Sequence, residues 1–371
     1  MSKRILIATG IFPPDIGGPA LYSQKLAEEF LKFGKKVTVL TYGKGFLKSS
    51  DYKIFGVSRL WPSGIRQLIY LFKLLIQVKE SDALLAMDSL GAGLPAVIAG
   101  ILFNKKVIIR MGGDFLWEKF VEFGQGNVTL TEFYKKNLHK RFPFLNRLIT
   151  FTLKGASAVV FTTDFQKEIF LAHYGLNPDK TFVASNVFKK EAGKIQPENI
   201  AKTILWAGRF LKLKNLDFLL KIFKRLLPYN QNLSLELVGD GPEKKRIEKM
   251  VKSEKLDGKV KISPVADKSA VAAKIISSYF CILPSLSEVS PNFALECLGA
   301  DKPVIITQET GIKEQFPGLM YADPKKEDSF FSAALRLLDK NTYYNYQKFI
   351  SEISYQKTWQ DLASEYLNLL K

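Results

Sequence analysis

The sequence predicts an α/β protein with two domains, each built around a parallel β-sheet. Short apolar segments rich in β-branched residues alternate with helix-length segments, and this alternation starts again after a polar stretch at 189–200. A length of 371 residues also suits two domains of ordinary size. We therefore expect two Rossmann-like domains whose sheets face each other across a cleft, with ligands bound beside the carboxyl ends of the strands.

The predicted domain boundaries follow from the polar stretch and from the last helical pattern. Residues 1–190 are assigned to an N-terminal domain and residues 191–345 to a C-terminal domain. The stretch 189–200 contains Gly193 and Pro197 and is predicted to be the linker between them. Residues 346–371 are assigned to a C-terminal helix that crosses back to the N-terminal domain.

The first half begins with a β-rich apolar run at 4–9, and a Gly/Pro-rich loop at 11–19 follows it. A helical pattern then covers 21–33 and ends at Gly34. Further strands are predicted at 37–41, 83–86, 106–110 and 158–161, with helix-length segments between them. This order of elements is typical of a parallel sheet with helices on both faces.

The second half repeats the alternation. Strands are predicted at 203–207, 233–238, 260–263, 280–284 and 303–307. The segments 216–227 and 244–252 have apolar residues at helical spacing, and so does the final stretch 343–370. The second half is therefore another α/β unit, followed by a terminal helix.

The composition excludes several classes of protein. Apolar residues make up 47% of the chain, which does not suit a disordered protein. Two cysteines and two histidines exclude a disulfide framework and show no metal-ligand spacing, so we expect neither a metal nor a cofactor. Because no apolar run reaches 18 residues and the apolar run at 5–8 is short, we expect neither a membrane span nor a signal peptide. The expected location is the cytosol.

The charge is unevenly placed along the chain. The net charge is +18, of which +13 lies in residues 1–190 and +5 in residues 191–371. A basic half suits an anionic partner, such as a phospholipid surface, a lipid phosphate, a nucleotide or a nucleic acid. A merely solubilising surface explains the same charge, so composition leaves both interpretations open.

One basic segment also contains many aromatic residues. Residues 119–154 hold seven Lys or Arg and two Glu, interleaved with six Phe and a Tyr. This pattern suits a peripheral contact with an anionic membrane, or an acceptor that carries a lipid phosphate. Core aromatics with lysines outside are the alternative interpretation. No nucleic-acid recognition motif accompanies the pattern, so no nucleic-acid partner is expected.

The strongest local signal lies at 287–296, between the strand at 280–284 and a predicted helix. Glu288 and Glu296 lie eight residues apart. Carboxylates suit sugar hydroxyls because each accepts two directed hydrogen bonds. Backbone N–H groups near a helix N-terminus suit a phosphate, and the residues between the two glutamates supply them: Val289, Ser290, Pro291 and Asn292. A capping loop with Glu296 on a solvated helix face is the alternative.

Cations follow the strand at 203–207. Gly208 and Arg209 come directly after it, and Lys214 lies five residues beyond the arginine. A planar guanidinium and a lysine at a strand end form a clamp for phosphates. The alternative is a basic surface turn.

A pair of glycines follows the first strand. Gly17 and Gly18 precede the first helix, where they allow the backbone to approach a ligand closely and to direct N–H groups at it. The segment 13–20 lacks the Gly-Lys-Ser/Thr of a Walker loop.

These three motifs, in this order and each after a predicted strand, resemble the family-4 glycosyltransferases, which are retaining enzymes of GT-B fold. The resemblance covers nearly the whole chain. It implies that Arg209 and Lys214 bind the donor diphosphate, that Glu288 contacts the donor sugar and that Glu296 contacts the ribose. It further implies that Gly17 and Gly18 approach the donor phosphates. The N-terminal domain would lie on the acceptor side, and the C-terminal domain would bind the nucleotide sugar.

The sequence departs from the family at one place. After the strand 106–110 the family commonly has a histidine beside a glycine, near the transferred sugar, whereas the segment 110–118 has none. Asp114 either takes a polar role there or caps the following helix.

The resemblance predicts a retaining glycosyltransferase that uses a nucleotide-diphosphate sugar as co-substrate. The expected acceptor is a glycan, either lipid-linked or of the cell envelope, which would require a peripheral position at the inner face of the membrane. Because no two aspartates lie two residues apart, the expected transfer is metal-independent. Two alternatives stay open: a non-catalytic relative that binds sugar nucleotides or glycans, and a basic α/β protein that binds nucleic acid.

Overall fold

The computed structural model describes residues 3–15, 17–43, 51–188, 190, 202–355 and 357–370. Contacts divide the chain into two compact units. The first unit comprises Met1–Leu116, Asn137–Val187 and Lys357–Lys371, and the second comprises Trp117–Lys136 and Phe188–Gln356. Except for Lys190, the predicted linker at 189–200 lies outside the described residues.

Each unit contains one parallel β-sheet. The strands of the first unit are β1 (Arg4–Thr9), β2 (Lys36–Tyr42), β3 (Lys53–Val57), β4 (Ala83–Ala86), β5 (Lys106–Met111), β6 (Ala158–Phe161) and β7 (Thr181–Val183). The strands of the second unit are β8 (Thr203–Ala207), β9 (Ser234–Val238), β10 (Val260–Ser263), β11 (Phe280–Leu283), β12 (Val304–Thr307) and β13 (Met320–Ala322).

Helices connect most of these strands. They are α1 (Gly18–Lys32), α2 (Ile65–Val78), α3 (Gly93–Phe103), α4 (Phe115–Glu122), α5 (Leu130–Lys135), α6 (Pro143–Gly155), α7 (Asp164–Tyr174), α8 (Leu216–Leu226), α9 (Lys244–Ser253), α10 (Lys268–Ser277), α11 (Asn292–Gly299), α12 (Glu327–Leu338), α13 (Lys340–Glu352) and α14 (Trp359–Leu369).

The first sheet has the strand order β3-β2-β1-β4-β5-β6-β7. The central strand β1 pairs in parallel with both neighbours, so that Ile5 lies opposite Val37 on one side and Ala83 on the other. Apart from its first residue, β1 is buried throughout, as expected for a parallel strand that is covered on both faces. Leu26 and Phe30 of α1 belong to the core that packs against this sheet.

The second sheet has the strand order β10-β9-β8-β11-β12-β13 and is also parallel. Its core surrounds Trp206 of β8, which is 1% exposed. The carboxyl ends of β8, β11 and β12 lie side by side because these strands are neighbours. Ligands of open parallel sheets bind at this edge.

The predicted parallel sheets are confirmed, and every predicted strand is present. The structure contains three further strands that the sequence analysis did not predict: β3, β7 and β13. Each lies at an edge of its sheet. They are short or contain a glycine, so their sequences carry little apolar pattern.

The prediction of one helix over 343–370 is wrong, because the structure has two. Helix α13 ends where Ile353 adopts an extended backbone. Helix α14 begins after Thr358, whose hydroxyl accepts the N–H of Asp361. Helix α14 belongs to the first unit, where the hydroxyls of Tyr22 and Tyr366 lie 3.2 Å apart.

Residues 117–136 belong to the second unit, although the predicted boundaries place them in the domain 1–190. The Glu122 carboxylate accepts the backbone N–H groups of Lys212 and Leu213, at 3.3 and 3.0 Å. The Glu132 carboxylate lies 2.6 Å from the ammonium of Lys325. These polar contacts attach the segment to the loops that follow β8 and β13.

The basic and aromatic segment 119–154 is consequently divided between the two units. Phe120 and Phe133 are buried in the second unit. Phe123, Phe144 and Phe151 are 70%, 70% and 46% exposed. Part of the aromatic pattern is therefore core and part is surface. Within the described residues, no helix is both long and apolar enough to span a bilayer.

Candidate active site

An ion pair lies at the carboxyl edge of the second sheet. The ammonium of Lys214 lies 2.6 Å from Oε1 of Glu288, and the two side chains are 21% and 12% exposed. The Ser285 hydroxyl donates to the same oxygen at 2.6 Å. The pair joins the loop after β8 to the loop after β11, so two motifs that lie 74 residues apart meet at one place.

Hydrogen bonds hold the loop that carries Glu288 on two sides. The N–H of Glu288 donates to the carbonyl of Glu309, and its own carbonyl accepts the N–H of Gly311. The N–H of Leu286 donates to the carbonyl of Leu213. Because backbone hydrogen bonds join the loops after β8, β11 and β12, the loop that carries the Glu288 carboxylate is fixed in position.

Glu296 lies on α11, which follows the same loop. Its carboxylate has no hydrogen-bond or ion-pair partner within the part of the chain that the structure describes. Burial raises the pKa of the Glu296 carboxyl, and the nearby Lys268 opposes this shift. A half-buried carboxylate without donors is a group that a ligand hydroxyl can satisfy.

The residues between the two glutamates differ in exposure. Val289 and Pro291 are buried, Ser290 is half-buried and Asn292 is exposed at the start of α11. Pro291 occupies the N-cap position, and no side chain caps the helix there. The first N–H groups of α11 are therefore not used by a capping side chain, although an eight-residue helix has a small dipole.

Gly208 and Arg209 are both exposed beyond the end of β8. Arg209 has no ion-pair partner among the residues that the structure describes. The following residue, Phe210, exchanges backbone hydrogen bonds with Asp240 and Glu243 in the turn after β9. This turn needs glycine, because a Cβ on Gly241, whose φ is +155°, would lie 2.4 Å from the Phe210 carbonyl oxygen.

Two polar groups that the sequence analysis missed lie in the loop after β12. Oε2 of Glu309 and Oγ1 of Thr310 are inaccessible to solvent and have no hydrogen-bond partner among the described residues. Thr310 forms a β-bridge with Glu288. Both residues come directly after a buried strand, and this position was the feature of the sequence that could have identified them. Ser285 and Ser287 were missed as well; Ser287 accepts the N–H of Leu130 at 2.8 Å.

The glycine pair lies in the first unit, at the start of α1. Gly17 is the N-cap residue, and no side chain caps this helix. A Cβ on Gly17 would lie 2.7 Å from Cδ1 of Ile11, so a larger residue would displace the end of that side chain. Arg59 ties the loop to its surroundings, because its guanidinium donates to both carboxylate oxygens of Asp15 and to the carbonyl of Tyr42.

Asp114 also lies in the first unit, where it is 2% exposed and directly precedes α4. The nearby Arg110, at the end of β5, is 4% exposed. Its guanidinium lies 3.6 Å from the centre of the Tyr22 ring and donates to the Asn186 side chain at 2.8 Å. A buried cation thus lies beside the segment in which the family commonly has a histidine.

The predicted site residues fall into two groups. The second unit holds those that follow β8 and β11: Gly208, Arg209, Lys214, Glu288, Val289, Ser290, Pro291, Asn292 and Glu296. Gly17, Gly18 and Asp114 lie in the first unit. In the described parts of the chain, His, Cys, Asp and Glu form no group of three or more that would suit a metal ion.

Known proteins resemble this chain in sequence and in fold. Residues 201–340 match the family model described as Glycosyl transferases group 1. The chain is 21% identical over 375 residues to one of the subunits of the Arabidopsis thaliana phosphatidylinositol N-acetylglucosaminyltransferase. The match covers 97% of this chain and 80% of that protein.

Two solved structures are similar over nearly the whole chain. Anabaena Alr3699/HepE in complex with UDP and glucose has a TM-score of 0.72 at 14% identity, covering 100% of this chain and 97% of that one. WaaG, a glycosyltransferase involved in lipopolysaccharide biosynthesis, has a TM-score of 0.74 at 13% identity, covering 99% of both chains. The fold of this chain is GT-B, and the sequence matches support glycosyltransferase activity.

Proposed function

We propose that this protein is a retaining glycosyltransferase of family 4, which transfers a sugar from a nucleotide-diphosphate donor. The observation that carries this proposal is the ion pair between Lys214 and Glu288 at the carboxyl edge of the second sheet. It lies within the segment that matches the glycosyltransferase family model. Glu296, half-buried and without a donor among the described residues, lies in the second turn of α11, the helix that follows the same loop.

Cleavage of the bond between the anomeric carbon and the phosphate leaves a diphosphate and an oxocarbenium-like centre. Negative charge then builds up on the leaving group, and cations in fixed positions stabilise it. We assign this role to Lys214 and Arg209. The N–H groups of Val289 and Ser290, near the start of α11, add donors for the phosphate oxygens. In this proposal the leaving charge is stabilised by protein cations, without a metal ion.

The two glutamates are proposed to hold the sugars of the donor. Glu288 accepts hydrogen bonds from the transferred sugar, and Glu296 accepts them from the ribose. The ion pair with Lys214 and the bond from Ser285 use only Oε1 of Glu288, which leaves Oε2 for a sugar hydroxyl. Gly17 and Gly18 of the first unit are proposed to direct N–H groups towards the donor phosphates.

The proposed acceptor is a glycan that is lipid-linked or belongs to the cell envelope. The names of two similar proteins support it, since one belongs to a phosphatidylinositol N-acetylglucosaminyltransferase and the other takes part in lipopolysaccharide biosynthesis. Such an acceptor implies a peripheral position at the cytoplasmic face of a membrane. Asp114 is proposed to act on the acceptor side, in place of the missing histidine.

The experiment is a transfer and donor-hydrolysis assay with a panel of nucleotide sugars, after a thermal-shift screen has identified the donor that binds. Glu288→Gln keeps the shape of the side chain and removes its charge. It should lower kcat/KM at least about 100-fold. Glu254→Gln is the matched control, because Glu254 also pairs with a lysine of the second unit, at 2.8 Å from Lys224, but lies away from the strand ends.

Equal activity of the two variants would refute the role of Glu288. Binding of a nucleotide sugar without hydrolysis or transfer, with every acceptor, would instead favour a non-catalytic binding protein. Loss of activity with a chelator, and its recovery with a divalent metal, would contradict the metal-independent mechanism.

A further inference from the structure

The outward face of α2 is apolar. Its exposed large side chains are spaced three or four residues apart and form one stripe: Ile65, Leu68, Phe72 and Ile76, which are 48%, 67%, 65% and 49% exposed. The opposite face is also apolar, since Tyr70 and Leu74 are completely buried. A helix at a protein–water surface normally presents polar residues outward, so this stripe requires another explanation.

The apolar surface continues onto the neighbouring helices. Helix α3 packs against α2 on one side and against α6 on the other. Leu102 at the end of α3 is 66% exposed, and Phe144 of α6 is 70% exposed. Just before α2, Leu60 is 96% exposed. Three adjacent helices of the first unit thus present large apolar side chains outward, and we call their outward surface the α2–α3–α6 face.

The charges on this face are all of one sign. The segments 60–79, 93–107 and 133–155, which include the three helices, contain no Asp and no Glu. Lys79, Arg147 and Lys154 are exposed and have no ion-pair partner among the described residues. A face that combines large apolar side chains with uncompensated cations is complementary to a surface that is both apolar and anionic.

We propose that the α2–α3–α6 face docks on an anionic lipid bilayer, with its apolar side chains inserted at the level of the headgroups. A second copy of the chain is the less suitable occupant. A two-fold interface would place this face against itself, so that cations would meet cations without a carboxylate on either side. Anionic lipid headgroups supply the missing charge, and the acyl boundary receives the leucine and phenylalanine side chains.

This surface differs from the one that the sequence indicated. Of the segment 119–154, only the α6 part belongs to the α2–α3–α6 face, whereas α2 and α3 lie outside that segment. The exposed Phe123 belongs to the second unit. The inference rests on the peripheral membrane position in the proposed function and names the surface that binds. It is tested by binding alone, so that its failure leaves the proposed glycosyl transfer untouched.

The test is flotation of the full chain with vesicles of phosphatidylcholine alone, or of phosphatidylcholine and phosphatidylglycerol in equal parts. We expect binding to the anionic vesicles, weakened by added salt, and little binding to the neutral ones. The double substitution Leu68→Ser and Phe72→Ser should lower the partition coefficient at least about tenfold. Both side chains are exposed, so the fold should be retained, which circular dichroism would verify.

Matched variants in the second unit are the controls. Tyr229→Ser with Ile276→Ser removes side chains that are 62% and 43% exposed and should leave flotation unchanged. Arg147→Gln with Lys154→Gln should lower binding to anionic vesicles about 25-fold, at about fivefold per cation, whereas Lys245→Gln with Lys249→Gln should not.

Three outcomes would overturn the proposal. The first is negligible binding to both kinds of vesicle. The second is an equal loss of binding in the control variants. The third is a dimer in analytical ultracentrifugation that the Leu68 and Phe72 substitutions dissociate, together with an absence of vesicle binding, which would make the face an interface between copies of the chain.

Discussion

The helices of the two units carry their charges differently. On the second unit, several cations pair with carboxylates of neighbouring elements: Lys224 with Glu254, Arg225 with Asp328, and Arg246 with Asp217. On the first unit, α2, α3 and α6 carry no carboxylate, and α2 and α6 carry cations. Paired surface charges contribute little to stability and attract few partners. In keeping with the two proposals above, we expect the second unit to act through particular residues and the first unit through a charged surface.

Within the second unit, the ion pair at the sheet edge can be compared with an ion pair on the outer surface. Lys214→Met should lower kcat/KM about 100- to 1,000-fold, because it removes a cation beside the leaving diphosphate and leaves Glu288 without its partner. Lys224→Met removes a lysine that is paired on the outer surface and should change kcat/KM less than about twofold. Steady-state kinetics with the identified donor would measure both values.

The stability of the protein at acid pH is expected to depend on two histidines of the first unit. Both histidines lie in the first unit, and His139 packs against His173 with ring centres 5.3 Å apart. Burial, with His173 and Lys140 nearby, lowers the pKa of His139 from 6.5 to about 4. The unfolded chain therefore binds more protons between these values, and stability is lost as the pH falls from 6.5 towards 4.

We expect this loss to reach about 2 kcal/mol. His139→Gln should remove the part of this loss that comes from His139 and leave the part that comes from His173, whose pKa burial also lowers. Urea unfolding of the whole chain at several pH values would measure both. A wild-type protein whose stability stays constant from pH 7 to about pH 4 would contradict the assignment.

Arg209 is exposed beyond the end of β8 and has no ion-pair partner among the described residues. Arg209→Gln should raise the KM for the donor about tenfold, with a smaller change in kcat, if the guanidinium binds the diphosphate in the ground state. Arg209→Lys should recover part of the loss, since it keeps the charge but not the planar fork. An unchanged KM in both variants would remove Arg209 from the site.

Glu296 is a half-buried carboxylate of the second unit with no hydrogen-bond or ion-pair partner among the described residues. Burial raises the pKa of its carboxyl, so the folded state holds the proton more tightly than the unfolded state does. The stability associated with this group is present at low pH and is lost as the pH rises through its raised pKa. Glu296→Gln should therefore stabilise the protein at pH 7 by no more than about 1 kcal/mol, while weakening donor binding. The gain should vanish at acid pH, as thermal unfolding would test.

The sequence was a good guide to the sheets because parallel strands are buried on both faces and stand out as apolar runs. It also placed Lys214 and Glu288 after strands that the structure shows to be neighbours, and the ion pair follows from that adjacency. Their roles in binding stay predictions. Glu309 was overlooked, because nothing in the sequence shows that its Oε2 becomes inaccessible to solvent without a hydrogen-bond partner among the described residues.

Features that depend on tertiary packing were not predictable from the sequence. The apolar helix α2 reads as a buried element, and only the structure shows that Leu68 and Phe72 point outward. Residues 117–136 were assigned to the first domain by their order in the chain, whereas the contacts of Glu122 place them in the second unit. Order along a chain predicts the partners of strands better than those of connecting helices.

Because residues 117–136 belong to the second unit, one cut in the chain does not separate the two units. The chain passes between the units four times, so neither unit is one continuous stretch of sequence. A fragment that ends near residue 190 would carry an excised piece of its neighbour and would lack the terminal helix α14. Chimaeras that exchange the second unit between related enzymes must therefore transplant 117–136 together with 188–356, or the loop after β8 loses the carboxylate that anchors it.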